Sequence, residues 1–274
     1  MKRIFEILIL LFFSAVLSHA QSLQFVGSFG EFSEASSFTI SASGYLFVCD
    51  RGTDLVYQFD SAKTLIKEIG GHGWEESSFD NPTDIFATTL KVFVADKNNN
   101  RVEVFDRYLN YLFEIKSEDV FYPTGCTVSN QGDIFILDSD NQKILKYDML
   151  GNFEDEIGSI TSGEFTLENP IAFAVSRDNY LYVIDENRVL IFDLFGSGKS
   201  IVKLPFTPNN LSISENQLIL TTVKSVYLVD LINNRIKNFD IENTIKSDEI
   251  IDAIKTGDKL FVLTEHKISE FKFK

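Results

Sequence analysis

Short apolar segments that end in a polar residue recur along the chain about every 43 residues. The four clearest copies are residues 46–50, 92–96, 134–138 and 181–185, and each ends in aspartate. Two weaker copies end in threonine, which we place at Thr222 and Thr264. After each of the four clear copies a second apolar strand follows and also ends in aspartate, at Asp60, Asp106, Asp148 and Asp193.

Each repeat divides into four short strands separated by polar turns. A proline precedes or begins the first strand in three repeats, at Pro82, Pro123 and Pro170, where a residue without an N–H suits the start of a strand. Polar turns such as 97–100 and 130–133 join the next strands. Four short strands in a period of this length are typical of a propeller blade. The pattern therefore predicts an all-β fold, a six-bladed β-propeller with four-stranded antiparallel blades, as a single domain over residues 21–274.

The two ends of the domain predict how the ring closes. The last repeat offers three strands only, at 250–254, 259–263 and 267–273. Residues 23–29 resemble an outermost strand that has no blade of its own, since Phe29-Gly30 matches Ile69-Gly70. We therefore predict that the N-terminal strand 23–29 pairs antiparallel with 267–273 and completes the sixth blade.

The second repeat carries a family resemblance. Residues 96–106, with the sequence DKNNNRVEVFD, resemble the core of an NHL repeat, and so does the lead-in of 69–73, Phe79 and 82–85. The resemblance extends over residues 24–274 and is closest in repeats two to four. It implies a six-bladed propeller and no particular activity, because propellers host many functions.

The first twenty residues have the layout of a secretory signal peptide. Lys2 and Arg3 precede an apolar run at 7–17, and small residues at 18 and 20 favour cleavage before Gln21. The run is too short to span a bilayer. We expect export, to the periplasm or the exterior, without a membrane span after cleavage.

Charge and cysteine content narrow the partners. The net charge of −15 disfavours nucleic acid and anionic lipid, because an acidic surface repels phosphate. Cys49 and Cys126 fall in apolar segments of different repeats, so we expect two free buried thiols rather than a disulfide. We expect a monomer that holds no cofactor.

The repeated aspartates invite a catalytic or metal-binding interpretation, but we predict a structural role. Equivalent positions in successive blades lie far apart around a ring, and aspartate before a turn usually accepts hydrogen bonds from backbone N–H groups. Only His72 and His266 follow the signal peptide, which is too few for a zinc cluster. His72 would need a positioned partner to act as a general base, and the sequence identifies none.

Calcium at the propeller centre stays an alternative. Lactonase-type propellers hold calcium in the central channel with Asp, Asn and Glu oxygens, and this chain has many of these residues. Asp84, near the start of an innermost strand, is one candidate channel residue. Gly125 and Ala172 occupy the corresponding places in repeats three and four, so no acidic ring is evident.

The loops on one face offer candidate binding residues. Trp74 lies in the connection between blades one and two, and tryptophan near arginine is the composition of a binding hot spot, although an indole covering a blade edge is the simpler interpretation. The candidates are His72, Trp74, Arg51, Asn98, Arg101, Asn141 and Arg188. Two functions remain open: a binding or scaffold module for a protein or glycan partner, and a calcium-dependent hydrolase or lyase with its site at the propeller centre.

Overall fold

The structure is a computed structural model that describes residues 22–116, 120–215, 217–230, 232–233, 235–245 and 248–274. The predicted signal peptide, residues 1–20, lies outside the described residues. Within the described ranges the strands form six separate sheets, each of four antiparallel strands. No helix in these ranges is long and apolar enough to cross a membrane.

The chain begins with β1 (Leu23–Phe29) and then builds the first five blades in order, each from its innermost to its outermost strand. Blade one is β2 (Ala35–Ile40), β3 (Leu46–Asp50), β4 (Leu55–Phe59) and β5 (Leu65–Gly70). Blade two is β6 (Pro82–Ala87), β7 (Lys91–Asp96), β8 (Arg101–Asp106) and β9 (Tyr111–Ile115). Blade three is β10 (Gly125–Val128), β11 (Ile134–Asp138), β12 (Lys143–Tyr147) and β13 (Phe153–Ile157).

The second half of the ring follows the same plan. Blade four is β14 (Pro170–Val175), β15 (Tyr180–Asp185), β16 (Arg188–Asp193) and β17 (Gly198–Lys203). Blade five is β18 (Asn210–Ser214), β19 (Gln217–Thr221), β20 (Ser225–Asp230) and β21 (Arg235–Asp240). Blade six is β22 (Ile250–Thr256), β23 (Lys259–Thr264), β24 (Ile268–Phe273) and the returning β1. Short helical turns at Ile160–Phe165 and Glu242–Ile245 lie in the connections that lead into blades four and six.

Ring closure is confirmed. β1 pairs antiparallel with β24, from Leu23 opposite Phe273 to Phe29 opposite Ile268, with a bulge between Phe25 and Gly27. The N–H of Lys274 also donates to the carbonyl of Ser22 (3.0 Å). The two ends of the domain are therefore held in one sheet.

The core consists of six apolar clusters, one between each pair of neighbouring blades. The middle strands supply their large side chains, as predicted: Phe47, Phe93 and Phe135 are buried, and Tyr182 is half-buried against the cluster between blades four and five. The two cysteines are free and buried in two of these clusters. Each sheet is thus covered on both faces by its neighbours.

The register in blade five corrects one expectation. The strand ends at Thr221, which pairs with Asn210, in the way that Asp96 pairs with Pro82 in blade two. Thr221, and not Thr222, is therefore the residue equivalent to the blade aspartates. The repeat is faint in this blade and two threonines follow one another, so the alignment of the repeats chose Thr222 instead of its neighbour Thr221.

The structural role of the blade aspartates is confirmed. Asp50 is fully buried and accepts hydrogen bonds from the N–H groups of Ser33 (2.8 Å), Glu34 (2.8 Å) and Gly52 (3.0 Å). Asp185 accepts from Glu168 and Asn169 in the same way. These bonds fasten the connection entering a blade to that blade's second strand, which extends the predicted contact with the following turn.

Candidate functional site

A cavity of about 1020 Å³ runs along the propeller axis and is lined by the innermost strands of all six blades. Many of its polar lining residues carry small hydroxyl or amide side chains. They include Ser37, Thr39, Thr127, Asn210 and Ser212. Asp84, Lys91, Arg177 and Asp252 are the charged residues among the described residues that line it.

The cavity extends to the hairpin turns that follow the innermost strands. Residues 88–91, 129–132 and 176–177 contribute to its lining. Each innermost strand begins at the connection from the previous blade and ends at its own hairpin turn, so these turns lie on the face opposite the connection that carries Trp74. The binding residues predicted from the sequence therefore lie on one face of the ring, whereas the axial cavity reaches the other face.

A repeated irregularity aims two carboxylates at the axis. The pairing of the first two strands is interrupted between Pro82 and Asp84 in blade two and between Ile250 and Asp252 in blade six. A bulge of this kind re-aims the side chain that follows it. The same interruption precedes Ser37 in blade one, which separates blades two and six around the ring.

Asp84 is bonded to its neighbours on both carboxylate oxygens. Ser37 Oγ donates to Oδ1 (2.6 Å) and the N–H of Cys126 donates to Oδ2 (2.8 Å). Gly125 permits this approach, because a Cβ there would meet the Phe173 ring at 2.9 Å and Asp84 Oδ2 at 3.4 Å. Burial raises the pKa of Asp84, and these hydrogen bonds oppose the shift.

Asp252 occupies the same register position in blade six and has far fewer partners. It is 6% exposed, and Oδ1 accepts a hydrogen bond from the N–H of the adjacent Ala253 (2.7 Å). No other donor in the described chain reaches this carboxylate, and neither Asp252 nor Asp84 has a cationic partner there. Burial and then the charge of Asp84 raise the pKa of Asp252 well above its usual range.

The sequence pattern predicts Asp84 as a residue of the central channel, but it does not predict Asp252, which also lines the cavity. Gly125 and Ala172 do leave blades three and four without an acidic group at this position, so the axis holds a pair of carboxylates and no ring. Asp252 was missed because the repeat is faint in blade six, and because its orientation depends on the bulge at Ile251.

The predicted loop-face residues lie on the opposite face, and several are engaged within the protein. Trp74 is 78% exposed and free to contact a partner. Arg101 is 3% exposed, and its donors bond Asp96, Glu114 and the carbonyls of Trp74, Glu75 and Ser78. The Arg101 guanidinium therefore holds the Trp74 connection on blade two and has no donor left for a partner.

The other candidates are tied to neighbouring carboxylates. Arg188 pairs with Asp185 and Glu168, Arg51 pairs with Glu34, Asn98 donates to Asp80, and Asn141 donates to Asp138. Asn141 also lines a second cavity of about 810 Å³ between blades three and four, together with the half-exposed Phe121.

His72 has the partner that the sequence did not identify. Its Nδ1 lies 3.1 Å from Asp54 Oδ2. Together with Asp80 these residues offer three ligand atoms within 4.8 Å of one another, the one such group among the described residues that could hold a metal ion. The group is on the surface of the loop face and away from the axial carboxylates.

No protein-family model matches the chain. Protein brain tumor from Drosophila melanogaster is 26% identical to it over 140 residues, which make up 47% of this chain and 13% of that protein. The chain thus matches a small part of this much longer relative.

The likeness to solved structures is broader. Virginiamycin B lyase from Staphylococcus aureus superposes with a TM-score of 0.66 at 14% identity, covering 92% of this chain and 99% of the lyase. A catalytically inactive histidine-to-alanine variant of that lyase with quinupristin gives a TM-score of 0.66 at 17% identity, covering 88% of this chain and 80% of the variant. At such identities the likeness shows the propeller fold alone.

Proposed function

We propose that this propeller is a binding module related to the NHL-repeat family, exported from the cytoplasm, which holds a glycan or protein partner through its axial cavity. The observation that carries the proposal is the cavity itself: about 1020 Å³ of space lined by apolar side chains together with hydroxyl, amide and carboxylate groups. A few polar groups in a preformed cavity are what a ligand site requires. The partial likeness to Protein brain tumor supports the NHL relation.

One residue in the cavity wall has a buried hydroxyl that no other group of the described chain bonds. Thr127 is 2% exposed, and its hydroxyl has no hydrogen-bond partner. Leaving a buried hydroxyl unpaired costs about 1–3 kcal/mol, which a ligand group can recover. Hydroxyl and amide groups suit the many hydroxyls of a glycan.

The cavity is poorly equipped for acyl transfer or lyase chemistry. The described residues that line it include no histidine. Cys126 does line it, but burial raises the pKa of that thiol well above its usual range, so it stays protonated and weakly nucleophilic. In virginiamycin B lyase a histidine-to-alanine change gives a catalytically inactive protein, whereas no histidine is among the described residues that line this cavity.

A calcium-dependent hydrolase or lyase is the second candidate, and one observation favours it. Asp84 and Asp252 bring two carboxylates to the axis. Calcium, however, takes six to eight oxygen ligands. Two carboxylates supply fewer oxygens than that, and each oxygen of Asp84 already accepts a protein hydrogen bond, so the binding module is the stronger proposal.

The proposal is tested with the chain from residue 21 on a glycan array, followed by thermal melts with each bound glycan. A ligand at 100 times its Kd adds about 2.7 kcal/mol of stability. We expect Thr127→Val, which removes the free hydroxyl, to weaken binding, and Trp74→Ala on the other face to leave it unchanged. The reverse pattern would move the site to the loop face. Stoichiometric calcium, with a large loss of melting temperature in chelator, would favour the enzyme.

Export is tested separately. The full chain is expressed with its first twenty residues, and the N-terminus of the exported protein is sequenced. We expect a mature protein that begins at Gln21, and a cell-retained protein that keeps Met1 would contradict export.

A further inference from the structure

The carboxylate of Asp252, which accepts a single hydrogen bond within the described chain, suggests which chemical group a ligand brings to the axis. Asp252 is nine-tenths buried and lines the cavity, and its hydrogen bond comes from the adjacent backbone N–H. A buried carboxylate normally has several donors or a cationic partner. This one has neither within the described chain, so its remaining acceptor positions are free for a ligand.

The neighbouring acid makes a cation favourable at this point. Asp84 lies near enough for its charge to disfavour ionisation of Asp252. Lys91, at the start of β7, and Arg177, in a hairpin turn, are the basic residues among the described lining, and neither forms an ion pair with either acid there. Burial and the charge of Asp84 both disfavour ionisation of Asp252, and a bound cation would oppose them by favouring the ionised carboxylate.

The hydrogen bonds already present favour an organic cation over a metal ion. Ser37 and Cys126 each donate a hydrogen bond to one oxygen of Asp84, which holds that carboxylate in place. Asp252 accepts one hydrogen bond and has more acceptor positions left for a ligand. A primary ammonium has three donors and needs few acceptors, whereas a hard metal ion needs many oxygens at once. The free hydroxyl of Thr127, in the same cavity, suits a hydroxyl of the same ligand.

From this geometry we infer that the ligand is an amino sugar, whose protonated amine binds Asp252 and whose hydroxyls bond the lining of the axial cavity. The inference rests on the proposed function, because it names the ligand class of the same cavity. It adds one requirement that a general glycan site lacks, namely a free and protonated amine.

The test compares three sugars that differ at one position, in isothermal titrations near pH 7 with the chain from residue 21. D-glucosamine carries the ammonium group, N-acetylglucosamine replaces it with a neutral amide, and glucose with a hydroxyl. We expect glucosamine to bind at least ten-fold more tightly than the other two. Asp252→Asn should remove most of this preference, and Asp140→Asn, in an exposed turn of the opposite face, should keep it. Circular dichroism melts check that both variants fold.

The outcomes separate the inference from the function on which it rests. Equal binding of the three sugars would agree with a glycan site but would overturn the inference that the ligand binds through a protonated amine. If none of the three sugars binds, the inference is overturned, and the glycan array decides the proposed function separately. Binding of Ca²⁺ alone that Asp252→Asn abolishes would assign the acids to a metal and also overturn the inference. Thr127→Val supplies a second check, because it should weaken glucosamine while keeping its advantage over glucose.

Discussion

At the scale of single residues, the propeller buries several carboxylates and satisfies them unequally. Glu103 on β8 is fully buried: its Oε1 accepts the N–H of Ser77 (3.2 Å) and lies 3.4 Å from Arg101, but its Oε2 has no partner. Burial raises the pKa of Glu103 to about 7, against the opposing effect of the Arg101 charge. This carboxyl is therefore a source of pH-dependent stability near neutrality.

We expect Glu103→Gln to change the pH dependence of unfolding. The folded pKa is above the unfolded one, so the stability that Glu103 contributes is fully present below pH 4.5 and is lost as the pH rises to about 7. Glutamine does not titrate, so between about pH 5 and pH 8 the wild type should lose free energy of unfolding that the variant keeps.

Urea unfolding at several pH values measures this difference. Glu114→Gln is the control, because Glu114 also pairs with Arg101 but is partly exposed. Parallel pH profiles of the wild type and Glu103→Gln would show that Glu103 does not titrate in this range.

Much of this residue-level chemistry was readable from the sequence wherever the repeat is strong. The blade aspartates recur in register, so their structural role could be inferred from position alone. Asp252 could not, because a bulge decides whether a strand residue faces the axis, and hydrophobic periodicity does not reveal bulges. The partnership of His72 with Asp54 likewise depends on how the connection at 70–73 folds over the turn of blade one, where the N–H of Gly71 donates to the Asp54 carbonyl (2.7 Å).

At the scale of elements, stability comes from packing one sheet on the next. Phe93 on β7 is 2% exposed and lies in the cluster that joins blade two to blade three, with Ile134, Ile136 and Leu145. Removing its ring would open a cavity between two sheets that are each held by their own hydrogen bonds and cannot easily collapse together.

Phe93→Ala should accordingly lower the free energy of unfolding by about 3–5 kcal/mol. Urea denaturation measures the loss. Leu90→Ala, in the adjacent turn and 66% exposed, should change stability by less than about 0.5 kcal/mol. A loss below about 1 kcal/mol for Phe93→Ala would mean that the interface between these blades is looser than the structure shows.

At the scale of the whole molecule, the ring depends on one non-covalent closure. β1 covers the edge of β24, and Phe29 and Leu23 pack onto the clusters on either side of blade six. Without β1, the backbone groups of β24 would form an exposed strand edge, which other chains can extend.

Deleting residues 21–30 should therefore lower the melting temperature sharply and promote aggregation. Circular dichroism melts and light scattering measure the two effects. Deletion of residues 21–22 alone is the control, since it leaves β1 in place and should melt nearly as the mature chain does. If the longer deletion melts like the mature chain as well, β1 does not close the ring.

The hydrogen bond between Lys274 and Ser22 also bears on how the molecule can be cut and attached. A ring whose ends already touch has no preferred starting point, so a circular permutant that joins residue 274 to residue 22 and opens at the 130–132 turn should rebuild the same propeller. In that permutant the closure would be covalent. The N–H of Phe273 donates to the carbonyl of Asp258 in the hairpin turn after β22, so both ends of the domain lie at the outer edge of blade six on the hairpin-turn face. A tether at either end would therefore leave the Trp74 face pointing away from a surface to which the protein is fixed.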